Sequence, residues 1–349
     1  MNRSDEVLEQ AADWLDAGEK VALATVIGTW GSSPRPVGSQ LAISGKGAFV
    51  GSVSGGCVEG AVVETAAEVL AAGPVPRVVE FGVTDEKAWS VGLSCGGTIR
   101  VLVGAAPAAA TLRSLSEKRP VAFATHLPSG RQTLFDEAGV HGDKALADVI
   151  AEQAKRAMAA EESALVETQD GPVFIHVFGR PWRIAVIGAV HVAQAFAPMA
   201  ASAGFEVAII DPRGAFATDL RFPGVRLMAQ WPEEGLTEFG IDAHTAVVTL
   251  THDPKIDDEA LAQALKAECF YVGSLGSRKT HAKRLDRLKA LGLSEDAIKR
   301  IRAPIGLDIG ARSAAEIAIS ILAEIVAAKH GRDPRAPGWA PVAAAQQKS

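Results

Sequence analysis

Two cysteines in glycine-rich settings carry the strongest chemical signal in this chain. Cys57 lies in Val53-Ser54-Gly55-Gly56-Cys57-Val58-Glu59-Gly60, and Cys95 in Gly92-Leu93-Ser94-Cys95-Gly96-Gly97. The chain holds only 3 cysteines, so two of them in near-mirror Gly-Gly-Cys and Cys-Gly-Gly contexts stand apart from composition. Glycine lets a backbone turn sharply and approach a ligand closely. A thiol held there is available as a ligand or a nucleophile. The competing reading is a small buried hydrophobe in a tight turn, a common role of free cysteine.

The flanking sequence predicts what must position these thiols. Ser4 caps a first helix with Val7, Leu8, Ala11, Trp14 and Leu15 on one stripe, closed by Gly18. A buried strand follows over 21–27, then a loop too rich in Gly and Pro for regular structure, Thr29-Trp30-Gly31-Ser32-Ser33-Pro34-Arg35-Pro36-Val37-Gly38. Strands over 40–43 and 48–53 precede a helix from about 58 to 71. The first cysteine motif therefore falls at a strand-to-helix junction. Free N–H groups and positive potential at a helix start favour anions and lower a thiol pKa. The second motif falls between a helical stretch over 86–91 and a strand over 98–103. Strands over 121–125, 132–135, 165–167 and 173–178, with an Ala-rich helix over 145–160, complete a first domain spanning 1–180.

From Arg183 the texture changes to apolar strands alternating with helices. Strands are expected over 184–187, 207–210, 225–228, 246–250 and 270–272, and helices over 192–203, 257–266, 280–290 and 313–327. The fold class is thus α/β: an N-terminal mixed α/β domain, then a Rossmann-like doubly wound parallel-sheet domain over 181–331. The Ala- and Pro-rich tail, 332–349, is expected to be mobile. Gly188-Ala189-Val190-His191-Val192-Ala193 looks like a dinucleotide fingerprint, with Asp211 about 20 residues on, where a ribose-binding acid would sit. The middle glycine is missing, however, and the branched Val190 would obstruct a pyrophosphate. Arg213 could favour a phosphorylated ligand or be a solvated loop charge. Arg278 and Lys279, after Gly273-Ser274-Leu275-Gly276-Ser277, stand where a phosphate could be held. Asp308 lies between glycines in Gly306-Leu307-Asp308-Ile309-Gly310, where it could orient a loop or a ligand. Backbone architecture at the edge of a sheet accounts for both stretches equally well.

Composition narrows the function classes. The net charge of −6 argues against nucleic acid or an anionic membrane as the main partner. The odd cysteine count and the lack of a secretory leader at Met1-Asn2-Arg3-Ser4-Asp5 fit a reducing cytoplasm. The apolar runs are too short to span a membrane. No Walker loop, His-Glu-x-x-His or paired Cys-x-x-Cys site is present.

At these motifs the chain resembles the XdhC/CoxI family, the xanthine dehydrogenase accessory factors. The likeness rests on the 31–38 loop, on 52–60 and 92–97, and on 188–193, 273–278 and 304–310 with Glu316-Ile317-Ala318. It implies a chaperone rather than an enzyme. Such a protein binds the molybdenum cofactor (molybdopterin), a pterin dithiolene bearing a phosphate and a metal-oxo centre. It protects the cofactor while a cysteine desulfurase supplies the terminal sulfur, then delivers it to a xanthine dehydrogenase-type molybdenum hydroxylase apoenzyme. A homodimer is expected. The family usually has glycine at the position of Val190, which weakens nucleotide binding by the second domain.

Molybdenum accepts soft thiolate ligands, so the resemblance makes Cys57 the cofactor-facing thiol and Cys95 a second ligand or sulfur relay. The backbone around Ser54, Gly55, Gly56, Gly96 and Gly97 would hold oxo and phosphate oxygens. Arg35 would pair with the phosphate, or else be a rigid exposed turn. Gly188, Asp211 and Arg278 complete the candidate cofactor-binding set. Glu59, just inside the helix, is read as complementing the dipole, and Cys269 as core. Two other functions remain open: an NAD(P)-dependent oxidoreductase using the second domain, and a sulfur-transfer enzyme carrying a persulfide.

Overall fold

The computed structural model describes residues 4–31, 35–82, 97–117 and 119–335, which divide into two compact units between Arg180 and Pro181. The helical stretch expected over 86–91 and most of the expected mobile tail lie outside the described residues.

The first unit is built on two antiparallel sheets. After α1 (Ser4–Asp16) come β1 (Val21–Trp30), β2 (Gln40–Ser44), β3 (Phe49–Gly51), α2 (Glu59–Ala72), β4 (Arg77–Phe81) and β5 (Thr98–Ala105), with the strands ordered β3-β2-β1-β5-β4. Alternation decides which side chains meet α2. Ala22, Ala24, Val26, Leu41, Ile43, Ile99, Val101 and Val103 line one face, against Val62, Ala66 and Val69 of α2. Each Val or Ile so buried contributes about 1.5–3 kcal/mol, so a charge at Val62 would undock the helix.

α3 (Ala109–Ser116), β6 (Val121–His126), β7 (Gln132–Asp136), β8 (Gly139–Gly142), α4 (Lys144–Ala160), β9 (Ala164–Thr168) and β10 (Gly171–Phe178) follow. Their strands form the second sheet, β8-β7-β6-β10-β9. Asp143 caps α4 by accepting the Leu146 amide at 2.7 Å, and the helix packs Leu146, Ile150 and Ala154 on that sheet. Both sheets line a cavity of about 250 Å³, with Thr25 and Gln40 on one wall and Thr125 and His176 on the other. Burial lowers the His176 pKa to about 4.

The second unit contains β11 (Arg183–Ile187), α5 (His191–Ser202), β12 (Glu206–Ile210), β13 (Arg226–Met228), α6 (Pro232–Phe239), β14 (Thr245–Thr249), α7 (Pro254–Lys266), β15 (Tyr271–Ser274), α8 (Arg278–Ala290), α9 (Glu295–Lys299), β16 (Ile301–Arg302) and α10 (Ala314–Lys329). All strand pairs are parallel, in the order β13-β12-β11-β14-β15-β16. Numbered within the unit this is the 3-2-1-4-5-6 order of a dinucleotide-type doubly wound sheet. Its two faces carry separate apolar cores, one under α6 and α7 and the other under α5 and α10, which is why its strands read as continuous apolar runs. No helix among the described residues is long and apolar enough to cross a membrane.

Candidate functional site

The β3–α2 turn folds around one carboxylate. Both Glu59 oxygens point back into the preceding loop. Oε1 accepts from the Ser52 hydroxyl (2.7 Å) and the amides of Val53 (3.2 Å) and Ser54 (2.9 Å). Oε2 accepts from the Ser54 hydroxyl (2.5 Å) and the amides of Gly56 (3.0 Å) and Val58 (3.2 Å). The serine hydroxyls take what remains: Ser52 Oγ accepts the Gly55 amide at 2.8 Å, and Ser54 Oγ the Cys57 and Val58 amides at 2.9 and 3.0 Å. Strand β3 stops at Gly51, short of the expected residue 53: the Ser52 amide still donates to the Gln40 carbonyl of β2, but the Val53 and Ser54 amides turn to this acid.

Burial by itself would raise the Glu59 pKa. The Ser54 and Ser52 hydroxyls and the Ser54 amide outweigh burial and bring it down to about 2, so the group is an anion at neutral pH. Gly55 and Gly56, at φ 81° and 116°, give the loop its left-handed turns, which side chains rarely adopt. A Cβ at Gly56 would meet nothing within 4 Å. The glycine therefore answers a backbone demand, and the space outside it is open.

Glu59 is thus more than a dipole complement. It occupies the amide nest to which the sequence assigned ligand oxygens, so the amides around Ser54, Gly55 and Gly56 are already engaged. Cys57, at the end of this loop, is half-buried and packs partly on the core beneath α2. An acid in the first turn after two serines was the available signal for this role.

Strand register gathers three candidate segments at one end of the first sheet. Thr25 pairs with Gln40, Leu41 with Gly51, and Trp30 with Thr98. The end of β1, the start of β2, the end of β3 and the start of β5 therefore share an edge. The Cys57 loop, the loop carrying Arg35, and the buried Gly97 all emerge there. Arg35 joins the first two by donating from Nε to the Ser52 carbonyl at 3.3 Å. Cys95 and Gly96 lie outside the described residues. Trp30 and Arg100, not singled out by sequence, sit at the same end on the sheet face turned from α2. The Arg100 guanidinium lies 6.0 Å from the indole centroid, and the indole folds over Gly28, where a Cβ would meet it at 3.1 Å. Among the described residues, no group of three His, Cys, Asp or Glu side chains could hold a metal ion.

In the second unit Gly188 and Asp211 are brought together. Asp211, fully buried, accepts the Ala189 amide at 2.7 Å and pairs with Arg213 through Nε at 2.9 Å and Nη2 at 2.7 Å. Burial raises its pKa, but the Arg213 and Ala189 hydrogen bonds prevail and lower it. Gly188, at φ 112°, has Thr251 so close that a Cβ would stand 2.5 Å from its methyl group. Val190 directly precedes α5 in an extended conformation. Arg278 is exposed at the start of α8, beyond the Ser277 cap, two strands along the sheet from β11. Asp308 lies before α10. Cys269 is buried, and desolvation pushes its thiol up to about 11, as expected of core.

The chain is 30% identical over 333 residues to the Escherichia coli molybdenum cofactor insertion chaperone PaoD, covering 93% of this chain and 88% of that protein. It belongs to the XdhC and CoxI family. The model of that family matches residues 14–82, which include the Cys57 turn, and the XdhC Rossmann domain model matches 184–325. A second relative, described as a probable component of the xanthine dehydrogenase of Bacillus subtilis, is 28% identical over 338 residues, covering 89% of this chain and 94% of its own. A crystal structure described as a xanthine dehydrogenase from Bacillus halodurans is similar, with a TM-score of 0.77 and 25% identity over 96% of this chain and 98% of that one. The XdhC and CoxI membership thus covers both units.

Proposed function

We propose that this chain is a molybdenum cofactor chaperone that presents Cys57 to the cofactor and passes it to a xanthine dehydrogenase-type apoenzyme. The observation that carries the reading is the pre-organised turn: Glu59 holds the backbone fixed and leaves Cys57 presented on a loop that Arg35 joins. A soft sulfur suits molybdenum, and a guanidinium suits the cofactor's phosphate. The name of the Escherichia coli relative supports the same cargo. Cys95 is assigned as second ligand or sulfur relay, with a cysteine desulfurase supplying the cofactor's terminal sulfur, and the chain acts as a carrier without turnover, as a homodimer in the cytoplasm.

The test is anaerobic isolation of the full chain from cells that make the cofactor, followed by pterin analysis and activation of a hydroxylase apoenzyme. Pterin in near-stoichiometric amount is expected, reduced about tenfold or more in Cys57→Ser. Pterin at background, together with unchanged apoenzyme activation, overturns the reading.

A further inference from the structure

The second unit holds a basic cavity that the cofactor reading does not use. α7 follows β14 and α8 follows β15, so both helices begin at the carboxyl edge of the parallel sheet. A cavity of about 370 Å³ lies there, walled by His252, Lys279, Lys283, Arg284 and Arg287. Lys279, Lys283 and Arg287 are spaced four apart and share one face of α8. Like charges at that spacing repel. Among the described residues neither lysine has an ion-pair partner.

Arg284 decides what this surplus is for. Its side chain is only 2% exposed, yet Nε and Nη1 have no hydrogen-bond acceptor. Nη2 donates to the Leu275 carbonyl at 3.2 Å. Asp257 and Asp258 approach it to 3.7 and 3.8 Å, but their oxygens are engaged elsewhere. Asp257 accepts the Thr251 amide and hydroxyl and the His252 amide, and Asp258 is gripped by Arg287. A buried guanidinium with unmet donors is unfavourable until an acceptor arrives.

We propose that this cavity seats the phosphate group of a small phosphorylated metabolite, held by Lys279, Lys283 and Arg284 from the first two turns of α8, beside the start of α7. Two converging helix starts add positive potential. The four cations of the wall outnumber the three carboxylates beside it, Asp253, Asp257 and Asp258. The cavity is small and the chain's net charge is −6, which favours a compact anion over an extended polyanion. The seat follows β14 and β15, whereas the dinucleotide-like loop follows β11, and it is independent of the Cys57 reading.

The full chain is titrated with inorganic pyrophosphate by calorimetry at low ionic strength. One saturable site is expected, weakened about tenfold or more in Lys279→Ala/Lys283→Ala. These lysines are exposed, so the double variant keeps its fold, as its unchanged melting temperature without ligand will check. Lys299→Ala, which removes a cation paired with Asp296 on α9, leaves binding intact, as does Cys57→Ser. Absence of saturable binding, or undiminished binding by the double variant, overturns the proposal.

Discussion

The β3–α2 turn of the first unit and the β11–α5 turn of the second are shaped by the same device and end in different chemistry. In each, a buried carboxylate accepts loop amides at the start of a helix, where a ligand anion would otherwise sit. Glu59 gathers Val53, Ser54, Gly56 and Val58 with two serine hydroxyls, and among the described residues none of its partners is a cation. Asp211 takes a single loop amide, from Ala189, and is neutralised by Arg213. The first loop is thus closed by local contacts around an unpaired charge and presents a thiol. The second is pinned by a residue from the neighbouring strand and presents the branched Val190. An internal acid can replace a ligand in ordering such a turn, and what the turn then offers depends on the residue left at its rim.

Removing the Glu59 carboxylate should break this comparison most severely. Glu59→Ala leaves the loop's amides and hydroxyls unpaired and is expected to destabilise the first unit by about 3–5 kcal/mol, read by urea unfolding and by hydrogen exchange across residues 49–72. The acid response sharpens the point. Because the folded pKa lies near 2 and the reference value is 4.5, Glu59 contributes about 3 kcal/mol that is fully present above pH 4.5. That contribution is lost as pH falls towards 2. Glu59→Gln should flatten the stability profile over this interval. An unchanged slope would mean that the carboxylate is not the group organising the loop.

A smaller loss is expected in the second unit. Asp211→Asn should cost about 1–3 kcal/mol, since the asparagine oxygen still accepts the Ala189 amide and Arg213, 36% exposed, can turn to water. A loss equal to that of Glu59→Ala, measured by the same unfolding experiment, would erase the contrast between local and long-range closure. The smallest effect concerns Val190. With Ala189 and Asp211 committed to each other, Val190→Gly should change NADH affinity by less than about twofold in a fluorescence titration. A saturable gain would favour the oxidoreductase alternative.

The parallel unit is the more legible part of the chain. Its strands are covered on both faces, so Arg183–Ile187, Glu206–Ile210 and Thr245–Thr249 read as apolar runs within a residue or two of their bounds. The edge strands β4 and β8 escape detection because they are largely exposed, β8 wholly so, and lack the apolar alternation that marks a strand. At the site, two glycines and a cysteine between a strand and a helix identify the turn. Glu59 is not legible in its actual role, because an acid in a first helical turn ordinarily faces outward and complements the dipole. Its inward path is visible only once Ser52 and Ser54 have folded over it.

By itself, the amino-acid sequence determined the α/β class, the change of texture near residue 180, and the placing of Cys57 at a helix start. These follow from periodicity and backbone permissiveness, which act over a few residues. Tertiary structure alone decided that Arg35 reaches the Cys57 loop, that Asp211 faces its own glycine loop, and that Arg284 is buried with donors unmet. Those outcomes depend on strand register and on which hydrogen-bond acceptors remain once neighbouring segments have packed, and no spacing along a single chain encodes that competition.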